Sequence, residues 1–218
     1  MKYIIINLSP RLKGTSRMLA EYFSERLMDS NNAVEVENLY SCLDHMDGLL
    51  DRIRESESII LIGPCYVNTF PADVFMLLQK MQEKENILHG QSLYGFIQGG
   101  MPYVHTHESA MKMLENYAME NDVIFKGGFV MGGGALLNGQ PLEKIMNAKK
   151  MVPAVEAFIG RIREDNYAPE DLYKAAAVKI SGLMASFLAI IMRIKIKREF
   201  KNMGIDYKSP SPYLEKRG

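Results

Sequence analysis

Tryptophan is absent from the 218-residue chain, and only two cysteines and four histidines occur in it. Cys42 and Cys65 are far apart with no C-x-x-C, so neither a zinc site nor an iron–sulfur cluster has its ligands. No metal is expected, and a reduced, cytoplasmic setting is. Net charge is missing too: 26 Lys and Arg face 26 Asp and Glu. No basic block dominates before the C-terminal region, which argues against a nucleic-acid surface. A core-like apolar run begins at Lys2, leaving no room before it for a secretory signal. The apolar patch near the C-terminus is shorter than the roughly 20 residues of a membrane span. Two familiar phosphate loops are lacking as well. The loop after the first apolar run does not end in Lys-Ser or Lys-Thr as the nucleotide-triphosphate P-loop does, and no G-x-G-x-x-G marks a dinucleotide-binding turn.

What is present is one α/β pattern with an extra element. Sixteen methionines read mostly as gap-filling core residues. Lys2 to Leu8 is apolar without alternation, as in a strand covered on both faces of a parallel sheet. Leu19, Phe23 and Leu27 then mark a helix. Residues 33–39 alternate and suit an edge strand, 43–54 a short helix, and 58–63 (SIILIG) a second buried strand. Pro71 suits the first position of the next helix, with Val74, Leu77, Leu78 and Met81 on its apolar side. A strand at 93–97, a helix through Ala110, Met113, Leu114 and Tyr117, a strand at 123–131 and a long helix from Leu142 to about Glu164 complete the alternation. Parallel strands need right-handed crossovers, so the expected fold is a doubly wound five-stranded parallel sheet of order 2-1-3-4-5. A ligand then sits beyond the carboxyl ends of the strands, at the switch point. Residues 1–167 form this domain and 168–218 a C-terminal helical extension.

Three unusual loops fall at that crevice. After strand 1 come Ser9, Pro10, Arg11, Gly14, Thr15 and Ser16, a junction where helix N–H groups, hydroxyls and a guanidinium suit a phosphomonoester. An ordinary strand-to-helix turn with a Ser or Thr cap is the plainer alternative. After strand 3 comes Pro64-Cys65-Tyr66-Val67-Asn68-Thr69-Phe70-Pro71, and after strand 4 Gln98-Gly99-Gly100.

The pattern S-P-R-x-x-G-[NT]-[ST] of Ser9 to Ser16 resembles the first loop of the flavodoxin-like NAD(P)H-dependent FMN reductases and quinone reductases, with Thr15 where Asn is commoner. Pro64 to Ala72 resembles that family's [SP]-P-x-Y-x-x-x-x-P-A segment. The resemblance covers roughly residues 1–165. It implies FMN with its phosphate on Ser9, Arg11, Gly14, Thr15 and Ser16, and its ring beside Pro64, Cys65, Tyr66, Val67, Asn68 and Thr69. Gln98, Gly99 and Gly100 would then approach the ring's O2 and N1 region through backbone N–H groups. Tyr66 and Phe70 are alternatively core aromatics.

The activity implied is hydride transfer from NADH or NADPH through FMN to a quinone, a nitro or azo compound, or free flavin. No dedicated acid or base is required, and no catalytic residue is named. His105 and His107 either face the substrate side or are exposed helix-start positions, and Cys65 is either redox-sensitive or a small buried residue. A flavodoxin-type electron carrier is the rival reading, although its T-x-T/S-G-x-T loop and acidic surface are missing. A further rival is a degenerate relative that no longer takes up FMN. A homodimer is implied by the family.

The extension reads as one helix over 172–201. It carries Leu183, Met184, Phe187, Leu188, Ile190, Ile191 and Met192, then Arg193, Lys195, Lys197, Arg198 and Lys201. It packs on its own domain or a dimer partner, covers the substrate, or makes peripheral contact with an anionic membrane.

Overall fold

The computed structural model describes residues 1–178 and 182–205, without the side chains of 183–185 and 188. It divides into two compact units, Met1–Val178 and Lys179–Gly218. In chain order the first unit contains β1 (Lys2–Asn7), α1 (Thr15–Leu27), β2 (Ala33–Asn38), α2 (Leu39–Cys42) and α3 (Met46–Arg54). There follow β3 (Ser58–Pro64), α4 (Ala72–Glu83), β4 (Gln91–Gln98), α5 (Ser109–Glu120), β5 (Val123–Met131), α6 (Ala148–Arg163) and α7 (Asp171–Ala176). The second unit contains α8 (Gly182–Asn202).

The sheet is parallel throughout, in the order β2-β1-β3-β4-β5. Its continuous apolar runs are the central strands: every residue of β3 and β4 is buried. The alternating segment is the β2 edge. The register aligns the carboxyl ends, with Asn7 opposite Asn38, Pro64 opposite Gln98, and Gln98 opposite Met131. Three ligand-type loops therefore leave from one rim.

Chain reversal at β1 sends α1 to one face and the β3 and β4 crossovers to the other. On the first face, the paired strand residues Phe96 and Phe129 stack at 5.0 Å. Phe23 of α1 and Phe158 of α6 close over them edge-on or tilted. Outside that aromatic core, the Glu156 carboxylate accepts from both the Tyr22 hydroxyl and Arg26, pinning α6 to α1. On the opposite face the Tyr117 hydroxyl donates to the Leu78 carbonyl at 2.9 Å, linking α5 to α4.

Four helical expectations differ in detail. The helix over 43–54 is broken into α2, a 3-10 turn (Leu43–His45) and α3. Pro71 caps α4 from just outside, with extended backbone, instead of opening it. The long helix from Leu142 is interrupted because Asn147 is left-handed, φ 68°, and donates its side-chain amide to the Ala176 carbonyl at 2.9 Å. The expected helix over 172–201 ends its first part at Ala177, whose extended backbone cannot propagate a helix. Residues 168–178, assigned from sequence to the extension, belong to the first unit. The Ala168 N–H donates to the Lys126 carbonyl at 2.7 Å, and buried Tyr173 bonds Glu108 at 3.1 Å.

Candidate functional site

The phosphate-type loop is built on the buried residue Asn7, a feature its sequence did not flag. Its amide donates to Asn38 Oδ1 at 2.8 Å while its Oδ1 accepts the Ser9 N–H at 3.1 Å, turning the chain as it leaves β1. Ser9 Oγ in turn accepts the Arg11 N–H at 3.2 Å. α1 starts without any side-chain cap and without an acidic residue in its first turn. The first helix bond is Met18 N–H to the Gly14 carbonyl, so the N–H groups of Thr15, Ser16 and Arg17 have no partner within the helix. The plainer reading, a Ser or Thr cap, is therefore not what this helix start shows.

These groups open into a small pocket of about 10 Å³ lined by Ser9, Arg11, Gly14, Thr15, Ser16 and Gln98, with Ala135 and Asn138 added from the loop after β5. That volume admits a water-sized group and not a whole drug-sized ligand, whose pockets run to about 300–1,000 Å³. Ser9, Thr15, Ser16 and Gln98 are each no more than 6 % exposed, whereas Arg11 is exposed. Hydroxyl protons decide what the pocket offers. Thr15 Oγ1 gives its proton to the Gly134 carbonyl at 2.9 Å, tying the β5 loop to α1. Ser9 and Ser16 hydroxyls act only as acceptors within the protein, Ser16 from Gln98 Nε2 at 3.3 Å, so their protons remain available. Gln98 Oε1 is buried and has no partner. That oxygen is left for a ligand hydroxyl. Of the nearby cations Arg11 lines the pocket, whereas Lys13 and Arg17 line a neighbouring recess together with Glu21, to which Arg17 is paired at 2.6 Å.

The segment after β3 stands beside this pocket without lining it. Pro64 is the last, buried residue of β3, and the Cys65 N–H continues the ladder to the Gln98 carbonyl at 2.7 Å. Tyr66 and Thr69 then close on each other across Val67 and Asn68, both left-handed at φ 51° and 69°. Asn accepts that conformation; a β-branched Val does so at a cost. The Ser109 hydroxyl, first in α5, donates to the Asn68 carbonyl and holds the turn. Tyr66 is 40 % and Val67 95 % exposed, while Phe70 is buried, so only Phe70 of this pair is a core aromatic. Burial pushes the Cys65 thiol above its ordinary value against a smaller opposing bond from the Asn68 backbone, the reverse of what a reactive thiolate needs.

The glycines after β4 have a structural use. The Gly99 N–H is engaged by the Met131 carbonyl at 3.1 Å, and a Cβ there would lie 2.3 Å from the His107 ring. His107 is buried and bonds the Met101 carbonyl at 3.1 Å, supporting the loop from beneath; His105 is exposed beside Tyr103. Gly100 is exposed. Ala135 and Asn138 were missed by sequence reasoning, although the Gly132-Gly133-Gly134 triplet and the Asn138-Gly139 pair signalled an unusual turn.

A larger recess of about 480 Å³ lies elsewhere, between α5, the outer edge of β5 and residues 167–173. Its cations Lys112 and Lys126 are paired with Glu115 and Asp165, so it offers a phosphate no free charge.

A parallel 2-1-3-4-5 sheet with an anion-type pocket at the β1 rim decides the architecture. The fold is flavodoxin-like. No family model matches the sequence, and no curated protein matches it. Among solved structures, the chain is similar to the apo form of an NADH:FMN oxidoreductase (EMOB), with 14 % identity, TM-score 0.58 and coverage of 79 % of this chain and 93 % of that one. It is similar to RosB with a bound 8-demethyl-8-formylriboflavin-5'-phosphate intermediate, at 13 %, TM-score 0.54, and 84 % and 92 % coverage. It is also similar to an FMN-dependent NADH-azoreductase from Bacillus anthracis str. Ames Ancestor in complex with FMN, at 16 %, TM-score 0.52, and 74 % and 99 % coverage. At such identities the likeness is one of flavodoxin-like fold.

Proposed function

We propose that this chain is an FMN-dependent NAD(P)H oxidoreductase acting on a small electron acceptor such as a quinone, a nitro or azo compound, or free flavin. The observation that carries the reading is the uncapped start of α1, facing buried Ser9 and Ser16 hydroxyls and a Gln98 amide atom without a partner. A terminal phosphate fits that set: N–H groups and the helix dipole favour the anion, and two hydroxyl protons and the Arg11 fork complete it. The fold neighbours described as FMN-dependent or NADH-using agree with this reading.

Bound FMN supplies a ring that takes a hydride from reduced nicotinamide and passes electrons to the acceptor. Ser9, Ser16 and the first-turn amides bind the phosphate, and Thr15 acts one step back by fixing the β5 loop. Gln98 would meet a ribityl hydroxyl through Oε1. Tyr66 and the Val67-Asn68 turn would border the ring, and their exposure would leave nicotinamide and acceptor a way in. No side chain of the chain is assigned a proton transfer. The protein is proposed to be cytoplasmic and homodimeric. Protein reconstituted with FMN and mixed anaerobically with NADH or NADPH is expected to lose the visible flavin absorbance rapidly. FMN uptake without such bleaching makes the chain an electron carrier, and failure to take up FMN overturns the reading.

A further inference from the structure

α8 is a helix with two different halves. Gly182 to Met192 contains no charged residue, and Phe187, Ile190, Ile191 and Met192 are between 45 % and 63 % exposed. Arg193, Lys195, Lys197, Arg198 and Lys201 follow, opposed by Glu199 alone. The whole chain is electrically balanced, so this nine-residue stretch concentrates a net positive charge that the rest of the sequence offsets. Complementing the helix dipole accounts only for Lys201, the one cation in the last turn. The five cations spread over a little more than half of the helix circumference, with exposed Ile194 and Ile196 among them, so polarity changes mainly along the axis.

That distribution disfavours a second copy of the helix as the occupant of this surface. A parallel pair would set one cationic half against the other, and an antiparallel pair would lay cations on the apolar half. An anionic bilayer meets both halves. Among the described residues no helix is long and apolar enough to cross a membrane. We propose that α8 docks on an anionic lipid surface by lying in the interface plane, its charge-free half against the acyl boundary and its basic half among the headgroups.

The test is flotation of the full chain with vesicles of phosphatidylcholine alone or mixed equally with phosphatidylglycerol. Flotation with the mixed vesicles only is expected, weakening with salt. Lys195→Glu with Arg198→Glu should weaken it by at least about fivefold per cation removed. Ile190→Asp with Ile191→Asp should abolish it, with circular dichroism of each variant confirming the parent fold. A chain that stays unbound to both vesicles overturns the proposal. So does equal flotation of the Ile190→Asp, Ile191→Asp variant, which would mean adsorption by charge alone. A dimer that this variant converts to monomer while flotation persists would reassign the apolar half to a second copy. None of these outcomes depends on FMN binding.

Discussion

Three hydroxyls crowd the start of α1, and their protons are not equivalent; removing them one at a time separates ligand binding from architecture. In Ser16→Ala the pocket loses a donor that is 2 % exposed and has no internal acceptor. A hydrogen bond to a charged group contributes about 1.5–3 kcal/mol, so FMN dissociation constants should rise by about 10- to 100-fold. Ser9→Ala, 6 % exposed, should behave alike. Thr15→Val keeps shape but removes the proton held by the Gly134 carbonyl. Leaving that carbonyl unsatisfied costs about 1–3 kcal/mol, which for a chain of this size lowers Tm by about 2–12 °C. Its FMN affinity should change by less than about fivefold. Fluorescence-quench titration of FMN and thermal melts on all three variants make the comparison. If Thr15→Val loses FMN as severely as Ser16→Ala while melting like the parent, the proton assignment is wrong and Thr15 faces the ligand. If neither serine matters, the pocket does not hold the phosphate.

Gly99→Ala should be destabilising by about 2–4 kcal/mol, because its Cβ overlaps the buried His107 ring and moving that ring breaks the bond to Met101; a melt within 1 °C of the parent would show that the ring has room. Val67→Asn should raise stability by about 1 kcal/mol, since Asn tolerates the left-handed backbone that Val adopts at cost, and chemical denaturation reads the gain. Glu156→Gln should cost about 0.2–1 kcal/mol at neutral pH by weakening the α1–α6 pin, which is partly exposed. Burial raises the Glu156 carboxyl, but its bonds from Tyr22 and Arg26 outweigh that and hold it below the ordinary 4.5. A carboxyl lowered in the folded state stabilises above its ordinary value and loses that contribution as pH falls through the lowered one. The gap between parent and variant should therefore close in acid, and a gap that widens below pH 4 would refute the assignment.

The sheet was legible because its signal is collective. The buried runs of β1, β3 and β4 read as unbroken apolar stretches, the β2 edge as alternation, and the helices between them force parallel crossovers. Breaks within helices were not legible, since each depends on one residue. Asn147 and Ala177 are compatible with a helix interior until a tertiary bond, such as Asn147 to Ala176, makes the irregular conformation cheaper. The phosphate loop and Gln98 do meet in one pocket, as sequence spacing suggested. Its far wall was invisible because Ala135 and Asn138 lie in a turn after β5 that is placed by tertiary bonds, Thr15 to Gly134, Ala135 to Gly99 and Gly133 to Met101. Gly99 was read as a concession to a ligand and proves to accommodate a histidine, a distinction that needs the third dimension.

The same bonds bear on whether the proposed flavin serves catalysis or storage of electrons. At the phosphate end every wall is braced: β1 through Asn7, α1 to the β5 loop through Thr15, and β4 to α1 through Gln98 and Ser16. At the ring end the bracing stops at Cys65 and Ser109, and between them Tyr66 and Val67 project into solvent. A carrier that exchanges single electrons at an edge gains nothing from an uncovered ring face, whereas hydride transfer requires nicotinamide to lie against one. Preorganised binding at one end with open access at the other is the division of labour that transfer needs. Covering that face tests the point. Asn68→Trp, placed on the exposed turn and away from the phosphate pocket, should cost about 1–2 kcal/mol of stability because Trp enters the left-handed backbone that Asn tolerates, yet leave FMN affinity within about fivefold of the parent while lowering turnover with NADH or NADPH by at least about tenfold. Equal losses in both would mean that the turn binds the cofactor and does not gate access to it.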